Sequence, residues 1–255
     1  MIPLAGLIPP DLLLAHAMVF LRVAAMVALV PTFGEQSIPP RMRLAAALAL
    51  ATVIAPATVP ELRRALEAAS PWTVGAAEIA AGFILGLSLR LMVHALQIAG
   101  TIAAQAASLS QLFGGTAIDP LPTIGHILTI GGLAIAAASG LHVELAAALI
   151  ATYDVFPAGA RIDSGEAALW SIQRTGGAIA LAFSLALPFV VAATLYNIAL
   201  GVLNRAMPQF MATFIGVPAL TWAVLALMAL TMPVILGLWA DALFRLLANG
   251  GLSLP

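Results

Sequence analysis

Apolar residues run in long blocks along this chain, and short polar segments separate the blocks. An apolar block approaching or exceeding about 18 residues is long enough to cross a bilayer as a helix. The blocks predict six helices, over residues 11–30, 44–59, from Pro71 to beyond Gly100, and over 123–139, 167–203 and 211–248. An extension of the fourth helix through His142 and Glu144 to Tyr153 stays open. The pattern therefore predicts an all-α, multi-pass membrane protein of long helices.

The first of these helices contains a charge. Pro9 and Pro10 precede it, and Asp11 is predicted to be its N-cap. Arg22 lies near its middle, where a charged side chain costs about 2.5–3.5 kcal/mol on insertion scales. We therefore expect Arg22 to face protein or water, and we favour an ion pair with another helix over a role as a ligand for a transported ion. No basic side chain precedes this helix, so we expect it to be an uncleaved span.

Prolines within the blocks predict interruptions, because proline removes a helical hydrogen bond. Pro56 is predicted to interrupt the second helix, and residues 61–70 to form a separate short interfacial helix. Pro188 predicts a kink in the long helix that contains it. Pro218 and Pro233 are expected to kink or divide the last block.

Three polar segments are predicted connections between helices. They are residues 31–43, which hold a proline pair, and residues 154–166 and 201–210. In the last of them, Asn204 and Arg205 are favoured as the cap of a helix end over a contact with phosphate or a partner.

Polar side chains follow one face of the third helix at intervals of three and four residues. They are Arg90, His94, Gln97, Thr101, Gln105 and Ser108. This polar stripe is compatible with the lining of a conduit, a contact with partner helices or a cytosol-exposed face, and periodicity does not decide among them. Small residues predict close helix packing at two places: Gly82 with Gly86, and Gly132 with Ala136 and Gly140.

The stripe leads into an irregular segment, SLSQLFGGTAIDPLP, at residues 108–122. The pair Gly114-Gly115 opens the backbone, and Asp119-Pro120 imposes an extended or turn conformation. Most helix–helix connections run about 2–8 residues, so this one is long. Non-helical backbone at membrane depth survives only where protein buries it or where it lines a water-filled cavity. We therefore favour a functional re-entrant or gating segment over a simple turn.

Composition supports a membrane protein and removes several functional classes. Of the 255 residues, 62% are hydrophobic and 8% charged, whereas a soluble domain is about a quarter charged. The net charge of −1 gives no indication of nucleic-acid binding. The absence of cysteine excludes disulfides, thiol catalysis and cysteine-ligated metals. The four histidines have no metal-ligand spacing, and we expect no cofactor, no metal and no catalytic residue. Without a linker or an exact repeat, residues 1–255 are predicted to form a single membrane domain.

Three motifs in this order resemble the FliR/SctT family of type III export gate subunits. The first is Phe20-Leu21-Arg22 followed by PTFGEQSIPPRMRLAAALAL, and the second is a long helix followed by Phe113 and Asp119-Pro120. The third is ALGVLNRAMPQFMATFIGVP at residues 199–218. The motif positions that we expect to hold the fold or contact partners are Arg22, Pro39, Arg41, Arg43, Asn204, Arg205 and Pro208.

The resemblance implies a subunit that joins FliP-like and FliQ-like subunits in a hetero-oligomeric export gate. Such a gate passes unfolded flagellar proteins, associates with an FlhB-like switch protein, and belongs to the flagellar basal body in the bacterial inner membrane. The family's members contribute bent hairpins to the assembly, and the loop after their third long helix acts as a pore plug. Carried over, the plug residues are Ser108, Gln111, Phe113, Gly114, Gly115, Asp119 and Pro120.

Other functions stay open at this point. The homologous injectisome subunit has the same mechanism and a different cargo. A small-molecule secondary transporter would use Arg90, His94 and Glu78 as a relay, although no inverted repeat supports it. An intramembrane protease would use Ser139, but the glycine expected two residues before that serine is Ala137.

Overall fold

The structure, a computed structural model, describes residues 9–30, 39–108, 123–206 and 212–250. These residues form helices and contain no β-strand, which confirms the all-α prediction. In chain order the helices are α1 (Pro10–Leu29), α2 (Pro40–Ala68), α3 (Pro71–Ser108), α4 (Thr123–Ala138), α5 (Leu141–Val155), α6 (Ser164–Ala206) and α7 (Ala212–Ala248).

Five of these helices contain a stretch that is long and apolar enough to cross a membrane. The stretches lie in α1, α2, α3, α6 and α7, and a sixth crossing results if α4 and α5 are counted together as one bent span. The mean hydropathy of the five stretches lies between 1.7 and 2.3. The prediction of a multi-pass membrane protein is therefore confirmed.

The second helix is longer than the sequence predicts. It begins at Pro40 and runs without a break through Pro56 and Pro60 to Ala68, so the predicted interruption at Pro56 and the separate helix at 61–70 are wrong. A proline in a helix removes one main-chain hydrogen bond but does not have to end the helix when packing holds both sides. Residues on both sides of the prolines are buried: Ala47, Ala51, Ile54, Ala55, Thr58, Val59 and Leu62.

Other predicted boundaries change for local reasons. Asp11 is not the N-cap of α1, because the helix already begins at Pro10 and Pro9 occupies the cap position. The possible continuous helix to Tyr153 is broken at Ser139-Gly140, where Gly140 has a φ of 88°. The proposed role of Gly140 in helix packing is also wrong, since a Cβ atom there would have no neighbour within 4 Å. Gly140 instead provides the positive φ that the turn between α4 and α5 requires.

The last two helices also differ from the predictions. The helix α6 continues through Pro188 and ends at Ala206, so the first part of the predicted break at 201–210 is helical. The backbone of α7 is helical throughout, and Pro218 and Pro233 do not divide it. Asp163 precedes α6, and its Oδ1 accepts the main-chain N–H groups of Gly165 and Glu166 at 2.8 and 3.0 Å. Such a carboxylate is a favourable N-cap.

The chain divides into two compact units. The first comprises Met1–Leu91, Ala137–Thr175 and Ala242–Pro255, and the second comprises Met92–Ala136 and Gly176–Asp241. In the first unit α1 packs against α2, and side chains from several helices are buried: Val19, Met26, Ile54, Leu62, Leu85, Leu149 and Leu246.

The second unit is organised around Trp239 of α7, which is completely buried. Its indole Nε1 donates a hydrogen bond to the main-chain oxygen of Met92 in α3 at 2.8 Å. The ring lies beside Gly132 of α4, where an added Cβ atom would approach Trp239 to 3.1 Å and Leu96 to 2.6 Å. Gly132 therefore makes room for two large side chains from other helices.

Candidate functional site

The predicted plug falls almost entirely outside the described residues. Ser108 is the last residue of α3. The other predicted plug residues, Gln111, Phe113, Gly114, Gly115, Asp119 and Pro120, lie outside the part of the chain that the structure describes. Their role stays a prediction.

The helices on either side of that segment meet close to its ends. Gly100 of α3 lies directly against Gly125 of α4, and a Cβ atom on Gly100 would overlap the Gly125 main chain. In the same way, a Cβ atom on Gly125 would come within 3.1 Å of the Gln97 carbonyl oxygen. Two glycines thus let the two helices touch through their backbones. The crossing joins the two helices that precede and follow the predicted plug.

The polar stripe lies on the surface of α3 in the described part of the chain. Arg90, Gln97, Thr101 and Gln105 are exposed, and His94 is half-buried. The His94 Nδ1 lies 2.8 Å from Gln97 Oε1, and the Thr101 hydroxyl donates to the Gln97 carbonyl at 2.8 Å. The stripe is thus an exposed polar face on a helix whose other residues are largely apolar.

The other predicted contact residues lie at helix ends. Pro39 precedes α2, and Arg41 and Arg43 are in its first turn, where Arg41 is exposed and Arg43 half-buried. Arg205 is exposed in the last turn of α6. A basic residue there is favourable to the helix dipole. Asn204 precedes it in the same helix, and Pro208 lies outside the described residues.

Arg22 forms an ion pair between two helices. Its Nε donates to Glu78 Oε2 at 2.7 Å and its Nη2 to Glu78 Oε1 at 3.0 Å. Both side chains are buried, with 2% and 0% of their surface exposed. A bidentate pair between guanidinium and carboxylate gives both strength and a defined geometry. The pair joins the middle of α1 to the first third of α3.

Residues at the C-terminal end of α5 and just after it also contact this ion pair. Arg22 Nη1 donates to the Thr152 hydroxyl and Nη2 to the Phe156 carbonyl oxygen, both at 3.0 Å. The Tyr153 hydroxyl donates to Glu78 Oε2 at 3.0 Å, and the Arg22 guanidinium lies 3.5 Å from the centre of the Tyr153 ring. We refer to Arg22, Glu78, Thr152, Tyr153 and Phe156 as the Arg22 cluster.

The Arg22 cluster is suited to holding helices together and not to proton transfer. Both carboxylate oxygens of Glu78 accept hydrogen bonds, and the guanidinium donates from all three of its nitrogens. Such a network satisfies buried charges that would otherwise be very costly. Glu78 is therefore not positioned as the relay that a secondary transporter would need.

Sequence reasoning predicted a partner for Arg22 but did not identify Glu78. A usable signal was present: Glu78, Gly82 and Gly86 follow one another at intervals of four residues, so they share one face of α3. A Cβ atom on Gly82 would overlap the Arg22 carbonyl, and one on Gly86 would come within 2.9 Å of the Met26 carbonyl oxygen. The glycine pair thus marks the face that receives α1, as the GxxxG pattern predicts.

Among the described residues, no group of histidine, aspartate or glutamate could hold a metal ion. Ser139 is exposed in the turn between α4 and α5. The structure therefore does not place Ser139 inside a buried site.

Known proteins give a consistent comparison. The family model described as "Bacterial export proteins, family 1" matches residues 13–246. The flagellar biosynthetic protein FliR of Caulobacter vibrioides is 31% identical over 239 residues, which are 91% of this chain and 93% of that protein. The proteins of the same name from Escherichia coli and Bacillus subtilis are 29% and 28% identical, covering 84% and 82% of this chain and 83% and 82% of their own. These matches agree with the three motifs read from the sequence.

Proposed function

This chain belongs to family 1 of the bacterial export proteins and is a multi-pass inner-membrane subunit of the flagellar export apparatus, and we propose that it helps to form and seal the channel for unfolded flagellar proteins. The observation that carries the proposal is the family match over residues 13–246, which includes nearly all of the long apolar helices. The chain is a conduit component with no catalytic role.

The proposed partners are FliP-like and FliQ-like subunits and an FlhB-like switch protein. Support comes from α6, which carries large exposed apolar side chains along its length, among them Ile172, Phe183, Leu187, Leu195 and Val202. Exposed apolar surface of this extent is typical of contact with lipid or with other membrane helices.

Purification in mild detergent tests the partners. We expect the tagged chain to elute as a large, stable hetero-oligomer whose other components mass spectrometry identifies as membrane subunits of the export apparatus. A monomer or homodimer that binds a small solute would contradict the proposal and favour a transporter. In a strain that lacks the gene, the chain should restore motility, whereas restoration of an injectisome alone would point to the other export system.

The polar stripe of α3 is proposed to face the water-filled conduit. Replacing Gln97 and Gln105 together by leucine would remove two of the polar side chains from this face and leave the main chain unaltered. We expect the complex to assemble and swimming motility to fall about tenfold or more, since a conduit for polar chains needs a wetted wall. Ile98→Leu, at the adjacent exposed apolar position, is the matched control.

Three results of this experiment separate the interpretations of the stripe. Loss of export with an intact complex supports the conduit. Loss of the complex itself would assign the stripe to a partner interface. Normal motility with normal assembly would show that neither role applies.

The sealing role of residues 108–122 is proposed from the family resemblance. The backbone contact between Gly100 and Gly125 is compatible with it, because this contact joins the two helices that precede and follow the segment. Deleting residues 114–120, with assembly verified by purification, should make the membrane leak ions or small solutes. Unchanged membrane conductance in an assembled complex would refute the seal.

A further inference from the structure

Two kinds of contact join α1 to α3: close packing of the two backbones and a buried ion pair. At Gly82 and Gly86 the two helices touch through their backbones, and one turn away Arg22 pairs with Glu78. Most of the other residues of α1 are apolar, and its mean hydropathy is 2.2. In lipid, apolar side chains give little preference for one neighbour over another, because acyl chains are as apolar as leucine.

Apolar packing alone therefore does not determine where α1 sits along α3. A displacement of α1 by one helical turn would still place apolar residues against apolar residues. The same displacement would separate Arg22 from Glu78, Thr152 and the Phe156 carbonyl together. Arg22 and Glu78 would then be buried charges without a partner, which is strongly unfavourable.

We propose that the Arg22–Glu78 ion pair, and not apolar burial, selects the register in which α1 docks on α3, so that α1 stays attached when both charges or neither charge is present. A single uncompensated charge drives α1 away from its site. The use of a buried polar contact to fix the register of packed helices has well-attested precedents in coiled coils. The inference concerns the fold of this chain and does not depend on the export role.

The experiment is a double-mutant cycle on the full-length, C-terminally tagged protein with a protease site placed in segment 31–38. After cleavage in mild detergent, the fragment that contains α1 is held only by non-covalent contacts, and its recovery with the tagged remainder is measured. We expect Arg22→Leu and Glu78→Leu each to reduce recovery by about tenfold or more, and the double variant to restore most of it.

Two further variants test whether α1 is released by the loss of the buried charge, and not by a change of side-chain shape or by the loss of any ion pair. Glu78→Gln keeps the side-chain shape and removes the charge, and we expect it to release α1 as well. The matched control is Asp11→Asn, because Asp11 also pairs α1 with another helix through Arg63 at 3.1 Å, but with 61% and 39% of their side-chain surfaces exposed. Exposed pairs contribute little, so this variant should retain the fragment.

Each outcome of the experiment either supports or contradicts the proposed role of the Arg22–Glu78 pair. Loss in both single variants with recovery in the double variant supports the proposal. Additive loss in the double variant would assign attachment to packing, and retention in all variants would show that the ion pair is unnecessary. Release of the fragment from the unsubstituted protein would show that the pair does not hold α1.

Discussion

Tyr153 makes two separable interactions in the Arg22 cluster. Its hydroxyl donates to Glu78, and its ring lies under the Arg22 guanidinium. Tyr153→Phe removes the hydroxyl alone and should lower the free energy of unfolding by about 1.5–3 kcal/mol, since the hydrogen bond goes to a charged acceptor. Tyr153→Leu should cost more, because it also removes a desolvated cation–π contact worth about 2 kcal/mol.

Thermal unfolding of the purified variants, followed by circular dichroism in the same detergent, measures both effects. Thr194→Val serves as a control, since the Thr194 hydroxyl is exposed and bonds only within its own helix, to Val190. Equal midpoints for the Tyr153→Phe variant and the unsubstituted protein would show that the hydroxyl contributes nothing.

Single residues also mark the limit of prediction from sequence. An arginine within an apolar helix predicts a polar partner, because leaving it unpaired is costly. The spacing of Glu78, Gly82 and Gly86 marks a packing face of α3 but does not say which helix packs there, and Arg22 and Glu78 are 56 residues apart in different helices. The same holds for Trp239, whose indole bonds a main-chain oxygen 147 residues away. Periodicity describes one helix and contains no pairing between helices.

At the scale of a helix, Gly82 is predicted to be intolerant of substitution. A Cβ atom would overlap the Arg22 carbonyl and push α1 away from α3, which would also separate the Arg22–Glu78 pair. Gly82→Ala should therefore lower the free energy of unfolding by about 1–3 kcal/mol, the usual cost of overpacking.

Gly176 of α6 provides the matched control for this prediction. It lies within a helix, and a Cβ atom there would meet nothing within 4 Å. Gly176→Ala should be neutral or stabilising by up to about 1 kcal/mol, because alanine is the better helix former. The comparison uses unfolding of the isolated chain in detergent, and equal effects of the two substitutions would contradict the close approach at Gly82.

The sequence predicted where helices occur better than it predicted where they are interrupted. The third helix begins at Pro71 as the sequence indicates, because proline is favourable in a first turn. The second helix passes two prolines, and the helix after Thr123 stops at Gly140. In the second helix tertiary packing outweighs the local preference of proline, whereas the stop at Gly140 agrees with the predicted helix over 123–139 and closes the extension that had stayed open. All of the predicted plug except Ser108, and Pro208 of the predicted contact set, lie outside the described residues, so those predictions stay open.

At the scale of the whole chain, sequence patterns were sufficient for the class and the family. Long apolar blocks predicted the membrane helices, and three ordered motifs predicted the family that the comparisons identify. The division into two compact units was not predicted. It depends on contacts between residues far apart in sequence, and the boundaries fall within continuous helices such as α3 and α6.

The length of α6 has a consequence for how fast the protein is degraded in the cell. Its 43 residues extend about 65 Å, roughly twice the hydrocarbon thickness of a bilayer. Tilting cannot place all of its apolar surface in lipid, so part of that surface needs cover from other polypeptides. A chain made without its partners would offer this uncovered part to membrane proteases. Pulse-chase labelling should therefore show a shorter half-life in cells that lack the proposed partner subunits, and the same half-life with and without them would show that α6 needs no cover.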